Sequence, residues 1–415
     1  MQSRPPTGAR SLREQASLRS ATKAMEGLTG PSGDESNEAS QDPINAAKRR
    51  RSEPEVAIPP WDSFFARQVS VSLPERGGDF RVYQAGDKGP LLFCLHGGGY
   101  TGMTWAACAR QLASNGYRVA AMEMRGHGET TAAPPNDLSL DTLVQDAIAV
   151  WRTLYGEERP PTVVVGHSMG GAVAVHAALS KVISPLAGIV VIDVVEGSAM
   201  AALPFMITLL DQRPKSFASL QEAIHWAAST GLCKQISTAA ITVPPMLRQQ
   251  PDSASVNAHD DAMQSSPTAS DQDAHPGPLD PITEDAELDI SRPATPMPDA
   301  VPDEAPALEG RWYWRTHLQS SQRFWEGWYR GLSNHFLSVP APKVLVIADT
   351  NRLDTALTIG QMQGKFQQVL VPQAGHAVHE DNADQVATIL TTFMKRNRVG
   401  EPPLSFPKPA ALRKS

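Results

Sequence analysis

With 415 residues, 41% of them hydrophobic and 20% charged, the chain is long enough to bury an α/β core and too apolar to be disordered throughout. A net charge of −7 and a pI near 5.9 give no general attraction to nucleic acid or anionic membrane, so neither is an expected partner. Cys94, Cys108 and Cys233 lack CxxC spacing, which suits neither a disulfide framework nor a zinc site, and no run reaches the roughly 20 apolar residues of a bilayer span.

Residues 1–55 are rich in Arg, Ser, Ala, Pro and Gly without sustained apolar periodicity and are expected to be a disordered basic tail. Within it Lys48, Arg49, Arg50 and Arg51 form a candidate nuclear import signal, the plainer reading being solvated charge. With no apolar signal segment at the start, the expected location is cytoplasmic, with the nucleus added if the basic cluster acts. From 56 to 248, short apolar runs alternate with amphipathic stretches, the pattern of βα units. Strands are expected at Phe80–Ala85, Leu91–Leu95, Tyr117–Met124, Thr162–Val165 and Gly188–Asp193. A helix over Asp141–Tyr155 would place Leu143, Ala147, Val150 and Leu154 on one face. Residues 249–310 hold fourteen acids against one base, Arg292, and are expected to be a disordered insert. The alternation resumes from 311 to 400, with strands at Lys343–Ala348 and Gln368–Val371 and a helix over Asp381–Arg396. A short tail, 401–415, ends the chain. The fold class is therefore α/β, a doubly wound and mainly parallel sheet.

The chemistry begins at "PTVVVGHSMGG", a β-branched strand running into Gly166-His167-Ser168-Met169-Gly170 and then a small-residue helix. This is G-x-S-x-G in its strand-turn-helix setting, with Ser168 as the candidate nucleophile of an α/β-hydrolase fold. A serine hydroxyl needs a base to take its proton and a third group to orient that base. In this fold the histidine comes last, after the final strand, where "VLVPQAGHAVHED" supplies His376. His96, His127 and His167 precede the serine and are read as hydrogen-bonding groups of their own turns. The acid is open between Asp193, closing the apolar run "GIVVID", and Asp354, with Asp349 nearby. "LLFCLHGGGY" runs a strand into His96-Gly97-Gly98-Gly99, an HGGG-type loop, so Gly98 or Gly99 joins Met169 as the candidate oxyanion donors. Arg125, in "RGHG", is read as structural, bonding to backbone carbonyls. The segments between Asp193 and Lys343 form a helical cap holding Trp226, Trp312, Trp314, Trp325 and Trp328, which more often make a cap's own core than a ligand cradle.

Together "LHGGGY", "RGHGET", "GHSMGGAVAVHAA", "IDVVEGSAM", "RPKSFASLQEAIHW", "WEGWYRGLSNHFLS", "NRLDTALTIGQMQGKFQ" and "GHAVHED" resemble the protein phosphatase methylesterases over about Ile58 to Val399, the acidic insert apart. The resemblance implies a serine esterase that removes the methyl ester from the C-terminal leucine of the protein phosphatase 2A catalytic subunit. It assigns the triad to Ser168, Asp193 and His376, and implies no metal or other cofactor. A monomer is expected. Two other functions stay in view: a small-molecule carboxylesterase or lipase with the same triad, and a phosphatase-binding regulator whose esterase activity is secondary.

Overall fold

In the computed structural model, which describes residues 54–250, 310–349 and 353–402, all seven expected apolar runs are strands. The basic tail with Lys48 to Arg51, nearly all of the acidic insert and residues 403–415 lie outside the described residues. Backbone contacts divide the chain into a main unit, 1–249 and 312–415, and a second, 250–311, of which Gln250, Gly310 and Arg311 are described.

The first six strands are β1 (Arg67–Leu73), β2 (Gly78–Ala85), β3 (Leu91–Leu95), β4 (Arg118–Met122), β5 (Thr162–His167) and β6 (Leu186–Ile192). Three short ones follow, β7 (Ser216–Phe217), β8 (Leu247–Gln250) and β9 (Arg311–Trp314), and then β10 (Lys343–Ile347) and β11 (Gln367–Leu370). Eight form the main sheet in the order β1-β2-β4-β3-β5-β6-β10-β11, while β7-β9-β8 form a small second sheet. β1, β2 and β4 pair antiparallel, and the pairs from β4 to β11 are parallel. β3 shows why the central strands read as unbroken apolar runs: Leu91, Phe93 and Leu95 enter one core and Leu92 and Cys94 the other, so both faces are covered. The chain leaves β3 toward β4 on one side and returns to β5 on the other. That reversal opens a crevice at the C-terminal ends of β3 and β5, where ligands of open α/β sheets bind.

Helices cover both faces. α1 (Ala106–Ser114) packs on one side, while α2 (Leu140–Tyr155) and α3 (Met169–Leu179) pack on the other. α2 starts where Ser139 accepts the Thr142 N–H, an N-cap that meets one of the four orphan donors of the first turn. The cap contributes α4 (Glu196–Asp211), α5 (Leu220–Ser229), α6 (Ile236–Thr242), α7 (Gln322–Tyr329) and α8 (Leu332–Ser338). α9 (Thr355–Met362), α10 (Val378–Asp381) and α11 (Ala383–Arg396) complete the fold, with α11 beside α1.

The five cap tryptophans divide between two cores. Trp226, Trp312 and Trp314 pack with Phe217 into a separate cluster, whereas Trp325 and Trp328 are fully buried in the main core with their Nε1–H groups on Ser321 and the Leu138 carbonyl. Arg125 is structural, as expected, and more fully tied than a turn arginine need be. It donates to both carboxylate oxygens of the buried Asp146 at 2.8 and 3.0 Å and to the carbonyls of Arg76, Ala133 and Pro134.

Candidate active site

Two glycines make the serine turn possible. A Cβ on Gly166 would stand 2.1 Å from the Gly170 carbonyl oxygen, and one on Gly170 would stand 2.4 Å from that of His96. Pressed in this way, the chain holds Ser168 at φ 52° and ψ −121°, a conformation unfavourable for a residue with a Cβ, between β5 and α3. The strand is carried into the turn by the Ser168 N–H on the Ile192 carbonyl at 3.0 Å. The serine side chain thus projects at the sheet edge and lines a cavity of about 80 Å³ with Gly98, Met169 and His376.

The structure places one of the candidate acids beside His376. Asp193 follows β6 with φ 50°, its N–H on the Val346 carbonyl at 2.8 Å. Its side chain is fully buried: Oδ2 lies 2.9 Å from His376 Nδ1, and Oδ1 accepts the Ala348 N–H at 3.2 Å. A carboxylate can only accept, so Nδ1 carries the proton and Nε2 keeps its lone pair. Asp354 is occupied elsewhere. It caps α9 by accepting the Leu357 N–H at 2.9 Å and takes the Ser333 hydroxyl at 2.5 Å. Fold order alone left Asp354 level with Asp193, the resemblance favoured Asp193, and the packing places Asp193 beside His376.

The oxyanion candidates separate on the same kind of evidence. The Gly99 N–H donates to His127 Nε2 at 2.9 Å, which removes it from the cavity. The amides of Gly98 and Met169 carry no protein acceptor among the described residues, and both residues line the cavity with Ser168. Met169 is the first residue of α3, where the N–H lacks a helical partner and the helix dipole favours negative charge. The pair can receive an oxygen that gains charge.

The other buried histidines have defined tasks. His96 Nε2 accepts the Met124 N–H and His127 Nε2 the Gly99 N–H, both at 2.9 Å, so each ring carries its proton on Nδ1, toward the Gly97 and Arg125 carbonyls. Burial lowers His127 to about 4 and His167 to about 3, and pulls His96 and His379 well down. His167 departs from the expected role within its own turn: its Nε2 bonds the His376 carbonyl at 2.9 Å and so holds the loop of the candidate base. Asp381 steadies the same loop, accepting the N–H groups of Gly375 and Lys234.

Tyr329 was not visible as a site residue in the sequence, where "WEGWYRG" gives only helical aromatic spacing. Its phenol lines the cavity and is pushed up to about 12, by burial first, with a hydrogen bond to the Ser168 side chain opposing. Tyr100, Arg213 and the α4 residues Met206, Leu209 and Leu210 complete the lining together with Leu318, Trp325 and Trp328.

Comparison with known proteins agrees with this geometry. Residues 92–389 match the model of the Alpha/beta hydrolase family. The chain is 39% identical over 347 residues to protein phosphatase methylesterase 1 of Homo sapiens, covering 83% of this chain and 86% of that protein. It is 40% identical to the protein of the same name from Bos taurus, covering 83% and 87%. Identity to the probable protein phosphatase methylesterase 1 of Caenorhabditis elegans is 35%, covering 89% and 87%. Among solved structures, E-2-(acetamidomethylene)succinate hydrolase superposes with a TM-score of 0.55 at 17% identity over 79% of this chain and 99% of that one, a likeness of fold.

Proposed function

The chain belongs to the protein phosphatase methylesterases of the alpha/beta hydrolase family and is a serine esterase, and from this we propose that Ser168, His376 and Asp193 demethylate the C-terminal leucine of the protein phosphatase 2A catalytic subunit. The observation that carries the reading is the near-40% identity to proteins of that name, joined to a carboxylate–imidazole pair beside a strained serine.

The chemistry follows from the geometry. His376 Nε2 takes the Ser168 proton as Oγ attacks the ester carbonyl, and the N–H groups of Met169 and Gly98 receive the oxyanion. The intermediate collapses by breaking the bond to the methoxy group, which leaves as methanol with the proton held on Nε2. Water then attacks the acyl-enzyme, giving one proton to Nε2, and the carboxylic acid departs as the proton returns to Ser168. Asp193 holds Nδ1–H throughout and stabilises the imidazolium.

A protein-sized substrate is supported by α4. No charged residue occurs from Gly197 to Leu210, yet Leu210 alone is fully buried in that helix, and Phe205 is 40% exposed next in sequence to the cavity residue Met206. The test is incubation with carboxymethylated phosphatase catalytic subunit. Wild-type protein should remove the methyl group and release methanol, and Ser168→Ala should not. Hydrolysis of p-nitrophenyl acetate without loss of the phosphatase methyl group would mark a small-molecule esterase and overturn the proposal.

A further inference from the structure

The cavity wall contains one guanidinium, and it is unspent. Arg213, two residues beyond α4, is half-buried and places its guanidinium over the Trp314 ring, 5.5 Å from the centroid. Its Nη1 lies 3.9 Å from the point a Cβ on Gly99 would occupy, one residue along from the Gly98 amide. No carboxylate, carbonyl or hydroxyl among the described residues accepts from it. Tyr100, in the same wall, has a buried hydroxyl that also lacks a hydrogen-bond partner. Arg125 provides the contrast within the same chain, since its donors are taken by Asp146 and three carbonyls. The Arg213 nitrogens still reach solvent, so its five N–H donors are available to an oxygen acceptor in the cavity.

The position of these donors identifies the acceptor. If the reacting carbonyl oxygen sits on the Gly98 and Met169 amides, Arg213 and Tyr100 lie in the wall of the same cavity, beside the Gly99 turn. The leaving methoxy group carries no further acceptor. On the acyl side of an amino-acid ester, the next oxygen is the carbonyl of the peptide group just upstream. We propose that Arg213, with Tyr100 beside it, anchors that upstream peptide carbonyl and so selects esters at the C-terminus of a peptide over plain carboxylic esters. This rests on the functional reading above for the placement of the ester at Ser168. It adds the residue that recognises the acyl group as a peptide.

Two esters isolate the contact: N-acetyl-L-leucine methyl ester, and methyl 4-methylpentanoate, which keeps the branched chain and the ester but lacks the amide. For wild-type protein the ratio of their kcat/KM values should favour the acetylated ester by about tenfold or more, the scale of a charge-assisted hydrogen bond. In Arg213→Met the ratio should fall about tenfold, mainly through a raised KM, as for an interaction made equally in ground and transition states, leaving the preference that the activating α-amide gives the ester chemically. Arg213→Lys keeps the charge without the planar fork and should fall between. Circular dichroism and melting temperature verify that each variant is folded. A role limited to packing on Trp314 would lower both esters together, and an unchanged ratio in Arg213→Met overturns the proposal, as does a wild-type protein with no preference. N-acetyl-Glu-Leu and N-acetyl-Gln-Leu methyl esters separate the acceptor's source: if Arg213→Met affects only the glutamyl ester, the contact is to a side-chain carboxylate and the assignment is wrong. Wild-type protein that prefers the acetylated ester but leaves methylated phosphatase intact removes that substrate and retains the anchor.

Discussion

Replacing Asp193 by Asn tests the site at the point where geometry decides most. Among the described residues, Oδ2 faces the His376 Nδ1–H at 2.9 Å and Oδ1 the Ala348 N–H at 3.2 Å. An asparagine has one oxygen and one NH2 group, so it can satisfy one of them. With the oxygen on Ala348, the NH2 group meets Nδ1, the imidazole proton moves to Nε2, and the lone pair that should accept the serine proton is gone. With the oxygen on His376, the NH2 group opposes the Ala348 N–H in a site the solvent does not reach, at a cost of about 1–3 kcal/mol for the unmet donor. The first arrangement keeps both of these contacts and is the one expected. By analogy with the same change in a serine protease triad, kcat should fall about ten-thousand-fold, equivalent to about 5.4 kcal/mol of barrier. Burst kinetics with p-nitrophenyl acetate and proton NMR of the imidazole N–H groups read the rate and the tautomer separately. A folded Asp193→Asn variant within tenfold of wild type refutes the argument, and so does an Asp354→Asn variant that loses as much.

Three further outcomes follow from the same contacts. Ser168→Ala should abolish ester hydrolysis while leaving the melting temperature within a few degrees, because the removed hydroxyl lies in the cavity; a variant with most of its turnover would exclude Ser168 as nucleophile. Arg125→Met should leave the fully buried Asp146 carboxylate with Arg76 alone and cost about 3–5 kcal/mol, seen as a lower urea midpoint at unchanged slope. A loss below ~1 kcal/mol would mean that the Arg76 pair suffices. Burial pushes Glu380 from its ordinary 4.5 up to about 8, so between those values the unfolded chain binds fewer protons than the folded one and stability falls as the pH rises. Calorimetric scans from pH 5 to 9 should show Glu380→Gln losing less melting temperature than wild type across that window, and parallel curves would contradict the assignment.

What the sequence disclosed depended on how much of each element was buried. β3 and β5 are covered on both faces and read as unbroken apolar runs, so both were legible. β1, "RQVSVSL", lies at the edge of the sheet with only Val71 and Leu73 fully buried, and its polar alternation hid it. The two- to four-residue strands of the cap are too short to show a period. Ser168, His376 and the glycine loops were legible because their chemistry is local, a strained turn or a close backbone approach. Fold order alone did not disclose the acid, since Asp193 and Asp354 both follow apolar strands in permitted order; only the family resemblance pointed to Asp193. Their difference is tertiary: one carboxylate faces an imidazole and the other caps a helix. Arg213 and Tyr329 join the site only through the folding of the cap over the sheet edge.

His96, His127, His167 and His379 are fully or almost fully buried around His376, and this crowd of imidazoles raises the question of which one acts as base. The rings of His167 and His376 are 4.7 Å apart, close enough that an alternative proton acceptor beside the serine would compete with the intended one. Burial removes that competition by holding the four neighbours below their ordinary pKa, so that at neutral pH they are uncharged. Neutral imidazoles then serve as fixed donor–acceptor pairs. His127 draws the Gly99 amide away and leaves Gly98 to face the cavity, while His167 ties the backbone of His376. Of these five histidines, His376 has the buried carboxylate of Asp193 on one ring nitrogen and a side chain that remains 25% exposed to the cavity. The candidate base is therefore distinguished by burial and by a partner, rather than by residue type.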